Sequence, residues 1–227
     1  MSMQALAVRE SYSRYGKGPI RVVPPAPLTG LFELMGAPLA FGRNEEVYGE
    51  SEPAEYLYTV VAGCVRTSKM LNDGRRQIGA FYLPGDVFGL EAGAEHTFSA
   101  EALAPTTVRI IKRAALTSRA AGDSAMATQL LTLTVAELQR TQSRVLLLIK
   151  SAQERVAGFL LEMASRVTGA SEIDLPMCRQ DIADYLGLTI ETVSRTLTQL
   201  ESAAAIALPT SRRIVLRNRP ALVRMNG

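Results

Sequence analysis

The sequence predicts an α+β protein, in which an antiparallel β-domain comes first, a long helix follows, and a helix-turn-helix unit with a small hairpin ends the chain. Two observations predict this class. Short apolar runs broken by turn residues fill the first half, and apolar residues at helical spacing dominate the second half. We therefore expect a flexible arm at 1–27, the β-domain at 28–120, the long helix at 121–152 and a C-terminal domain at 153–227.

Short strands are predicted throughout the β-domain. Residues Tyr56–Val61 are β-branched and aromatic, and Val108–Ile111 form a second apolar run. Between them, Val65–Leu71 and Gln77–Leu83 flank Asn72-Asp73-Gly74, a hairpin turn in which glycine supplies a positive φ. Strands at this spacing, with no helices between them, indicate an antiparallel sandwich or barrel. The preceding arm is rich in Ser, Gly and Pro, which is typical of a disordered segment.

The long helix carries a regular, mostly apolar seam. Its residues recur at intervals of four and three, the spacing of a helix that packs along one partner. They are Leu131, Val135, Leu138, Gln142, Val145 and Ile149. Further leucines widen the apolar surface, so one face can pack on the β-domain while another pairs with the same helix of a second copy. The alternative is a helix that packs only on its own domain, and we favour the homodimer.

Two short helices joined by a glycine are predicted near the C-terminus. The first spans Arg179–Leu186 and stops at Gly187, and the second starts at Thr189, a favourable N-cap, and runs to Glu201. Two strands follow, at Ala205–Leu208 and Arg213–Leu216. Helix, glycine turn, helix and hairpin in this order are typical of a winged helix-turn-helix domain.

The second of these helices has two different faces. The spacing of its apolar residues predicts a buried stripe that consists of Ile190, Val193, Leu197 and Leu200. The opposite face carries Glu191, Ser194 and Arg195 near the helix N-terminus, where a recognition helix meets base edges. Glutamate can accept from cytosine N4, and arginine can donate two hydrogen bonds to guanine. The alternative role of these charges is a solvated ion pair between Glu191 and Arg195.

The net charge of +3 is concentrated at the C-terminal end of the chain. Residues 175–227 contain seven arginines and four carboxylates, which leaves +3, and residues 1–174 are therefore balanced. A local excess of arginine on a neutral body favours an anionic partner there.

The residue types needed for an enzyme are scarce. Cys64 and Cys178 are the only cysteines and His96 is the only histidine, so we predict no catalytic residues and no metal site. We expect His96 at the surface rather than as a haem ligand. The longest apolar runs fall short of the roughly 18 residues of a membrane span, and the N-terminus lacks a signal-peptide core. We expect no membrane contact and a cytoplasmic location.

Two segments resemble the Crp/Fnr family of bacterial transcription regulators. The stretch LYTVVAGCVRTSKMLNDGRRQIGAFYLPGDVFGLE, from residue 57, is similar to the family's β-roll, which is of the cyclic-nucleotide-binding type. The stretch CRQDIADYLGLTIETVSRTLTQLE, from residue 178, is similar to its helix-turn-helix. Within it, ETVSR matches the Fnr-type pattern E-x-x-S-R. The resemblance covers roughly residues 28–217 and implies a β-roll, a dimerisation helix and a winged helix-turn-helix.

This resemblance also implies a function. A homodimer would bind a TTGA-type palindrome in double-stranded DNA, with Glu191, Ser194 and Arg195 as the base contacts, and would act on RNA polymerase as an activator. Residues near the helix starts and the wing turn are expected to contact the DNA backbone. They are Arg179, Gln180, Thr189, Thr192, Arg212 and Arg213.

No cofactor is expected. The N-terminal cysteine cluster that holds the Fnr iron–sulfur centre is missing, and the phosphate-binding Arg-Ser pair of cyclic-AMP receptors corresponds here to His96-Thr97-Phe98-Ser99. Fnr-type base contacts without either site are typical of the FixK-like branch, which regulates microaerobic, respiratory or nitrogen-fixation genes. The alternative function is a sensor of the same family whose β-roll binds an unidentified small molecule.

Cys178 is a candidate redox site. It falls at the N-cap of the first helix of the helix-turn-helix, where free N–H groups can meet a DNA phosphate. The helix dipole and the neighbouring Arg179 favour a thiolate. Oxidation to sulfinate or sulfonate would place a fixed negative charge where a phosphate must sit. The alternative is that Cys178 only replaces a Ser or Thr cap. Cys64 lies in an apolar run and is predicted to be an inert core residue.

Overall fold

A computed structural model of the chain describes residues 36–166 and 171–226. The predicted arm at 1–27 lies outside the described residues. The described residues confirm the α+β class, because an N-terminal antiparallel domain is followed by helices and by a C-terminal helix-turn-helix.

Eight strands form the N-terminal β-roll. They are β1 (Ala37–Phe41), β2 (Glu46–Tyr48), β3 (Tyr56–Ala62), β4 (Val65–Met70), β5 (Arg76–Tyr82), β6 (Val87–Phe88), β7 (Ser99–Ala102) and β8 (Thr106–Lys112). They pair antiparallel in two four-stranded sheets, with orders β1-β8-β3-β6 and β2-β7-β4-β5. The predicted apolar runs are confirmed as β3, β4, β5 and β8. The other four strands are short or exposed, so their periodicity gives no clear signal.

The hairpin that joins β4 and β5 forms where the sequence predicts it. Gly74 has a φ of 83°, the left-handed conformation that glycine adopts without a steric penalty. Asp73 Oδ1 accepts a hydrogen bond from Arg75 N at 3.0 Å and closes the turn. Both strands of this hairpin contact the C-terminal domain, because Arg66 on β4 and Arg76 on β5 bind Asp181.

The region predicted as one helix at 121–152 contains parts of three helices. Helix α1 (Arg113–Gly122) is followed by Asp123, whose side chain accepts from Ala125 N and Met126 N and starts α2 (Ser124–Leu147). Ser151 and Glu154 then cap α3 (Ala152–Arg166), because each backbone N–H donates to the other's side chain, at 2.7 and 3.3 Å. Ile149 therefore lies in the turn after α2, which corrects the expectation that all seam residues lie on one helix.

The C-terminal domain places three more helices and a small sheet around one core. Its elements after α3 are β9 (Glu172–Asp174), α4 (Arg179–Leu186), α5 (Ile190–Ser202), β10 (Ile206–Ala207), β11 (Arg213–Leu216) and α6 (Arg219–Met225). The strands pair in the order β10-β11-β9 and form the wing. Phe159, Leu186, Val193 and Leu200 lie in the core that joins the helices. The sequence predicts both helices of the helix-turn-helix to within one residue but does not predict β9.

The helices among the described residues are all too short or too polar to cross a membrane.

Candidate DNA interface

A glycine turn joins the two helices of the candidate DNA-binding unit. Helix α4 ends at Gly187, which has a φ of 63° and whose N–H donates to Ala183 O. Thr189 then starts α5, because its hydroxyl accepts from Thr192 N at 3.2 Å. The left-handed glycine and the threonine cap are both confirmed. Together they fix the direction in which α5 leaves α4.

Helix α5 buries one face and exposes the other. Val193, Leu197 and Leu200 are at most 2% exposed, which confirms most of the predicted stripe. The prediction for Ile190 is wrong, because this residue is the first of the helix and is 36% exposed at its open end. Thr196, at 4% exposure, completes the buried face instead.

The three predicted base-contacting residues share the other face, in the first half of α5. Glu191 and Arg195 are exposed and Ser194 is half-buried. The pKa of Glu191 is lowered by hydrogen bonds from the backbone N–H of Glu191 and from the Thr189 hydroxyl. The positive charge of Arg195 lowers it further, by a smaller amount. Glu191 is therefore ionised at neutral pH and is a pure hydrogen-bond acceptor.

The predicted backbone contacts divide between helix starts and the wing. Arg179 and Gln180 lie in the first turn of α4, where Gln180 Nε2 donates to Asp184 Oδ1 at 2.6 Å. Thr189 and Thr192 lie at the start of α5, with their hydroxyls 3.1 Å apart. The two helix N-termini thus carry the polar side chains that contact phosphates in a helix-turn-helix.

Arg212 and Arg213 lie where the wing turn meets β11, but they have different partners. Arg212 Nη1 donates to Pro176 O at 3.3 Å. Arg213 Nε lies 2.8 Å from the Glu172 carboxylate, and its Nη2 lies 3.7 Å from that of Asp174. The charge of Arg213 is compensated within its own sheet, so Arg212 is the stronger candidate for a phosphate contact.

Cys178 occupies the predicted N-cap of α4 and is exposed. Its N–H and its thiol both donate to Asp181 Oδ2, at 3.0 and 3.1 Å. Asp181 is thus a site residue that the prediction missed, although its position three residues after a helix cap is a recognisable capping signal. Cys64 is buried, and burial raises the pKa of its thiol to about 12, as expected of an inert thiol.

Helix α2 has one face on the roll and one apolar face in solvent. Met126 and Leu133 are buried. The predicted seam residues Leu131, Val135, Leu138 and Val145 are 42–64% exposed in the single chain, and Gln142 is exposed between them. An exposed apolar row of this length is typical of an interaction surface.

The interior of the roll is filled by stacked rings. His96 is only 2% exposed, and its ring centroid lies 3.6 Å from that of Tyr48, with Tyr58 and Phe88 completing the stack. The expectation that His96 is a surface residue is therefore wrong. Burial lowers the pKa of His96, against the opposing effect of Glu91, so the ring is neutral at physiological pH and can pack as an aromatic residue.

A cleft of about 530 Å³ lies outside this stack, between the roll, α1 and α2. Its uncharged walls consist of five leucines, one alanine and three threonines, and the leucines are Leu57, Leu90, Leu116, Leu130 and Leu138. Its charged residues are Glu91, Glu137 and Arg113, and the Arg113 guanidinium already donates to the carbonyls of Ala54, Glu91 and Gly93.

Among the described residues, groups of three or more His, Cys, Asp or Glu side chains close enough to hold a metal ion are absent.

Together, a recognition helix with one polar exposed face, a glycine turn and a three-stranded wing define a winged helix-turn-helix protein, a class that binds DNA. The comparisons with known proteins agree. Residues 154–225 match the family model of the Crp-like helix-turn-helix domain, and residues 38–122 match that of the cyclic nucleotide-binding domain.

Two relatives are regulators of nitrogen fixation. The chain is 53% identical over 199 residues to the nitrogen fixation regulation protein FixK of Azorhizobium caulinodans. This alignment covers 85% of this chain and 80% of that protein. It is 42% identical over 191 residues to FixK of Rhizobium meliloti, covering 84% and 85%. The structure of FixK2 from Bradyrhizobium japonicum superposes with a TM-score of 0.82 at 50% identity, covering 85% of this chain and 98% of that one. The chain belongs to the Crp/Fnr family of transcription regulators, in its FixK-like branch.

Proposed function

We propose that this regulator is an activator that binds a TTGA-type palindrome as a homodimer, with Glu191, Ser194 and Arg195 as the base contacts. The observation that carries the proposal is the placement of these three side chains on the exposed face of α5, near its N-terminus. The ionised Glu191 suits cytosine N4, and Arg195 suits the two acceptors of guanine. Arg179, Gln180, Thr189, Thr192, Arg212 and Arg213 would contact the backbone. RNA polymerase would be the second partner, and the cytoplasm the location.

The homodimer is supported by the exposed seam of α2. A palindrome has two half-sites, so a two-fold protein is the geometric match to it. Pairing of α2 with its copy would bury Leu131, Val135, Leu138 and Val145, which are four of the five large apolar residues exposed on the helix, Leu146 being the fifth. Gln142 would provide the polar position that fixes the register of paired helices.

The roll does not fit a cyclic nucleotide. The stacked rings of Tyr48, Tyr58, Phe88 and His96 fill its interior. In the adjoining cleft, two carboxylates would repel a phosphate, and the single arginine is occupied by backbone carbonyls. These features support DNA binding without a nucleotide.

Redox control at Cys178 is the second part of the proposal. Its thiol is exposed at the start of α4, on the side of the unit where backbone contacts are expected. An oxidised sulfur there would repel both a DNA phosphate and the Asp181 carboxylate, which lies 3.1 Å from the thiol. Oxidation would therefore lower DNA affinity.

Selection of bound duplexes from a random DNA pool tests the function directly. The purified protein is used without any added ligand, under reducing conditions. We expect recovery of a two-fold symmetric site with TTGA-type half-sites. Recovery of an unrelated or asymmetric sequence would contradict the assigned base contacts, and recovery of no sequence would contradict binding without a ligand.

The leucine-lined cleft favours a second candidate function, a sensor for an apolar small molecule. Leu138 belongs both to this cleft and to the proposed dimer seam, so an occupant would affect dimerisation. Native mass spectrometry of the protein purified from its own cells tests this candidate. A bound mass that disappears on denaturation, together with a lower DNA affinity after its removal, would support the sensor.

A further inference from the structure

The first helix of the helix-turn-helix is attached to the β-roll by a set of charged side chains. Arg66 on β4 and Arg76 on β5 both bind Asp181 Oδ1, at 2.5 and 2.8 Å. Arg76 Nε also donates to Asp184 Oδ2 at 2.8 Å. Gln77 Nε2 donates to the Asp184 carbonyl at 2.8 Å. We call these five residues the clasp.

Asp181 is the centre of the clasp and is 3% exposed. Its second oxygen accepts from the N–H and the thiol of Cys178, so hydrogen bonds occupy both oxygens. Burial by itself would raise the pKa of Asp181, but the bonds from Cys178 and the charges of Arg66 and Arg76 outweigh burial and lower it. The carboxylate is thus ionised, and it joins the start of the DNA-binding unit to two strands of the roll.

The packing around the clasp gives α4 two buried faces. The Tyr185 ring lies 5.1 Å from the ring of Phe81 on β5, and the guanidinium of Arg144 on α2 lies 4.8 Å above Tyr185. Arg144 also donates to the carbonyls of Ile78 and Gly79 on β5. The other face of α4 packs into the core of its own domain. Only the start of the helix is left exposed.

Charged, multidentate contacts have an effect that apolar packing lacks. The hydrophobic effect is non-directional, whereas a buried ion pair is favourable only when its geometry is good. The clasp residues of the roll and of α4 are more than 100 residues apart in sequence, so they constrain the relative orientation of two separate domains. In a dimer, that orientation sets the distance between the two copies of α5.

We propose that Asp181 and its clasp partners are positioning residues for DNA binding, which hold the helix-turn-helix on the roll so that two copies of α5 match one half-site spacing. The inference rests on the proposed binding of a palindrome by a dimer. A rigid dimer binds its second half-site at a high effective concentration when the spacing fits, and this advantage falls when the domains can reorient. Weakening the clasp should therefore leave each half-site contact intact while loosening the spacing requirement.

The variant Arg76→Gln tests the proposal, with Arg75→Gln as its matched control. The two positions are neighbours and lose the same charge, but Arg75 is exposed and pairs with Asp73 in its own turn. Affinity is measured for a full palindrome, a half-site duplex and palindromes with one or two base pairs inserted at the centre. For Arg76→Gln we expect unchanged half-site affinity, about tenfold weaker binding of the full palindrome, and reduced discrimination against the inserted sites. Arg75→Gln should behave like the wild type.

Three outcomes separate the possibilities. If Arg76→Gln binds the full palindrome as tightly as Arg75→Gln does and discriminates equally against the inserted sites, the positioning role is wrong. If Arg76→Gln loses affinity equally for every duplex, including the half-site, the positioning role is also wrong. That result would indicate damage to the DNA-binding unit itself. A wild type that binds palindrome and half-site equally would instead contradict the proposed function. If Arg76→Gln does not fold, Gln77→Ala, which removes the hydrogen bond from the roll to the Asp184 carbonyl, decides by the same measurements.

Discussion

Arg195 and Arg212 carry the same charge within one domain but lie in different places. Arg195 is exposed on the polar face of α5, whereas Arg212 lies at the wing turn and holds the Pro176 carbonyl. We expect Arg195→Ala to weaken binding of the cognate palindrome by about 1–3 kcal/mol per half-site and to relax discrimination at one base pair of each half-site. Arg212→Ala should weaken binding of cognate and scrambled duplexes alike and reduce its salt dependence, since it would remove the proposed phosphate contact.

Binding isotherms on both duplexes over a salt series separate these two roles. The charge change is identical in the two variants, so each serves as the control for the other. An equal loss for Arg195→Ala on cognate and scrambled DNA would show that this residue contacts phosphates and not bases.

Cys178 and Cys64 differ in accessibility, and this difference predicts where peroxide acts. We expect peroxide to abolish palindrome binding by the wild type, because a sulfinate at Cys178 would face both Asp181 and a DNA phosphate. Cys178→Ser keeps a hydroxyl that can donate to Asp181 and should bind DNA in the presence of peroxide. Cys64 is the only cysteine left in this variant. If Cys178→Ser also loses DNA binding in peroxide, the sensitivity does not arise at Cys178.

At the scale of single elements, the turn between α4 and α5 depends on one backbone conformation. Gly187 has a φ of 63°, and the atom nearest to an added Cβ would lie 3.6 Å away, so the cost of a side chain there is conformational rather than steric. We expect Gly187→Ala to lower the free energy of unfolding by about 1–2 kcal/mol. Gly122, at the end of α1, also has open space around it but no positive φ, and Gly122→Ala should be neutral or slightly stabilising. Urea denaturation measures both, and equal stabilities of the two variants would contradict the role given to the turn.

The elements that the sequence predicts well are those that local chemistry determines. The Asn72-Asp73-Gly74 turn, the Gly187 stop and the Thr189 cap each act within a few residues, and all three are confirmed. The break between α2 and α3 is also local, and the Ser151–Glu154 capping pair was a signal for it. By contrast, β9 is three residues long and has no period to detect.

The contacts that the sequence could not predict are those between domains. Arg66 and Asp181 are 115 positions apart, and charge patterns along the chain do not reveal which arginine meets which carboxylate. His96 illustrates the same limit, since this loop residue is buried by Tyr48 from β2 and Tyr58 from β3. The exposed polar face of α5 was predictable because helical spacing alone separates it from the buried stripe.

At the scale of the whole molecule, arginines join α2, α3 and α4 to the β-roll. Arg140 on α2 lies 3.1 Å from Asp86, which follows β5, and Arg166 on α3 donates to the same carboxylate and to Phe81 O. The clasp does the same for α4. These contacts occupy the roll-facing sides of the helices and leave the apolar seam of α2 exposed. The fold of one chain therefore does not require the seam, which leaves this surface available for the proposed dimer.

Charged substitutions in the seam should consequently dissociate the dimer without unfolding the chain. Leu138 and Val145 are 55% and 58% exposed in the single chain, so Leu138→Glu and Val145→Glu should cost little within it. In a paired helix each would bury an unpaired charge, which is strongly unfavourable. Ser143→Glu adds the same charge at an exposed position off the seam and should remain dimeric.

Sedimentation velocity and binding to the full palindrome measure this outcome together. We expect the two seam variants to sediment as folded monomers and to lose affinity for the full palindrome. A monomer binds one half-site only, so it lacks the second, intramolecular binding event that strengthens binding of a dimer. Half-site affinity should be unchanged, since α5 and its supporting core lie in another part of the molecule. Dimers of wild-type stability in both seam variants would place the interface on a surface other than α2.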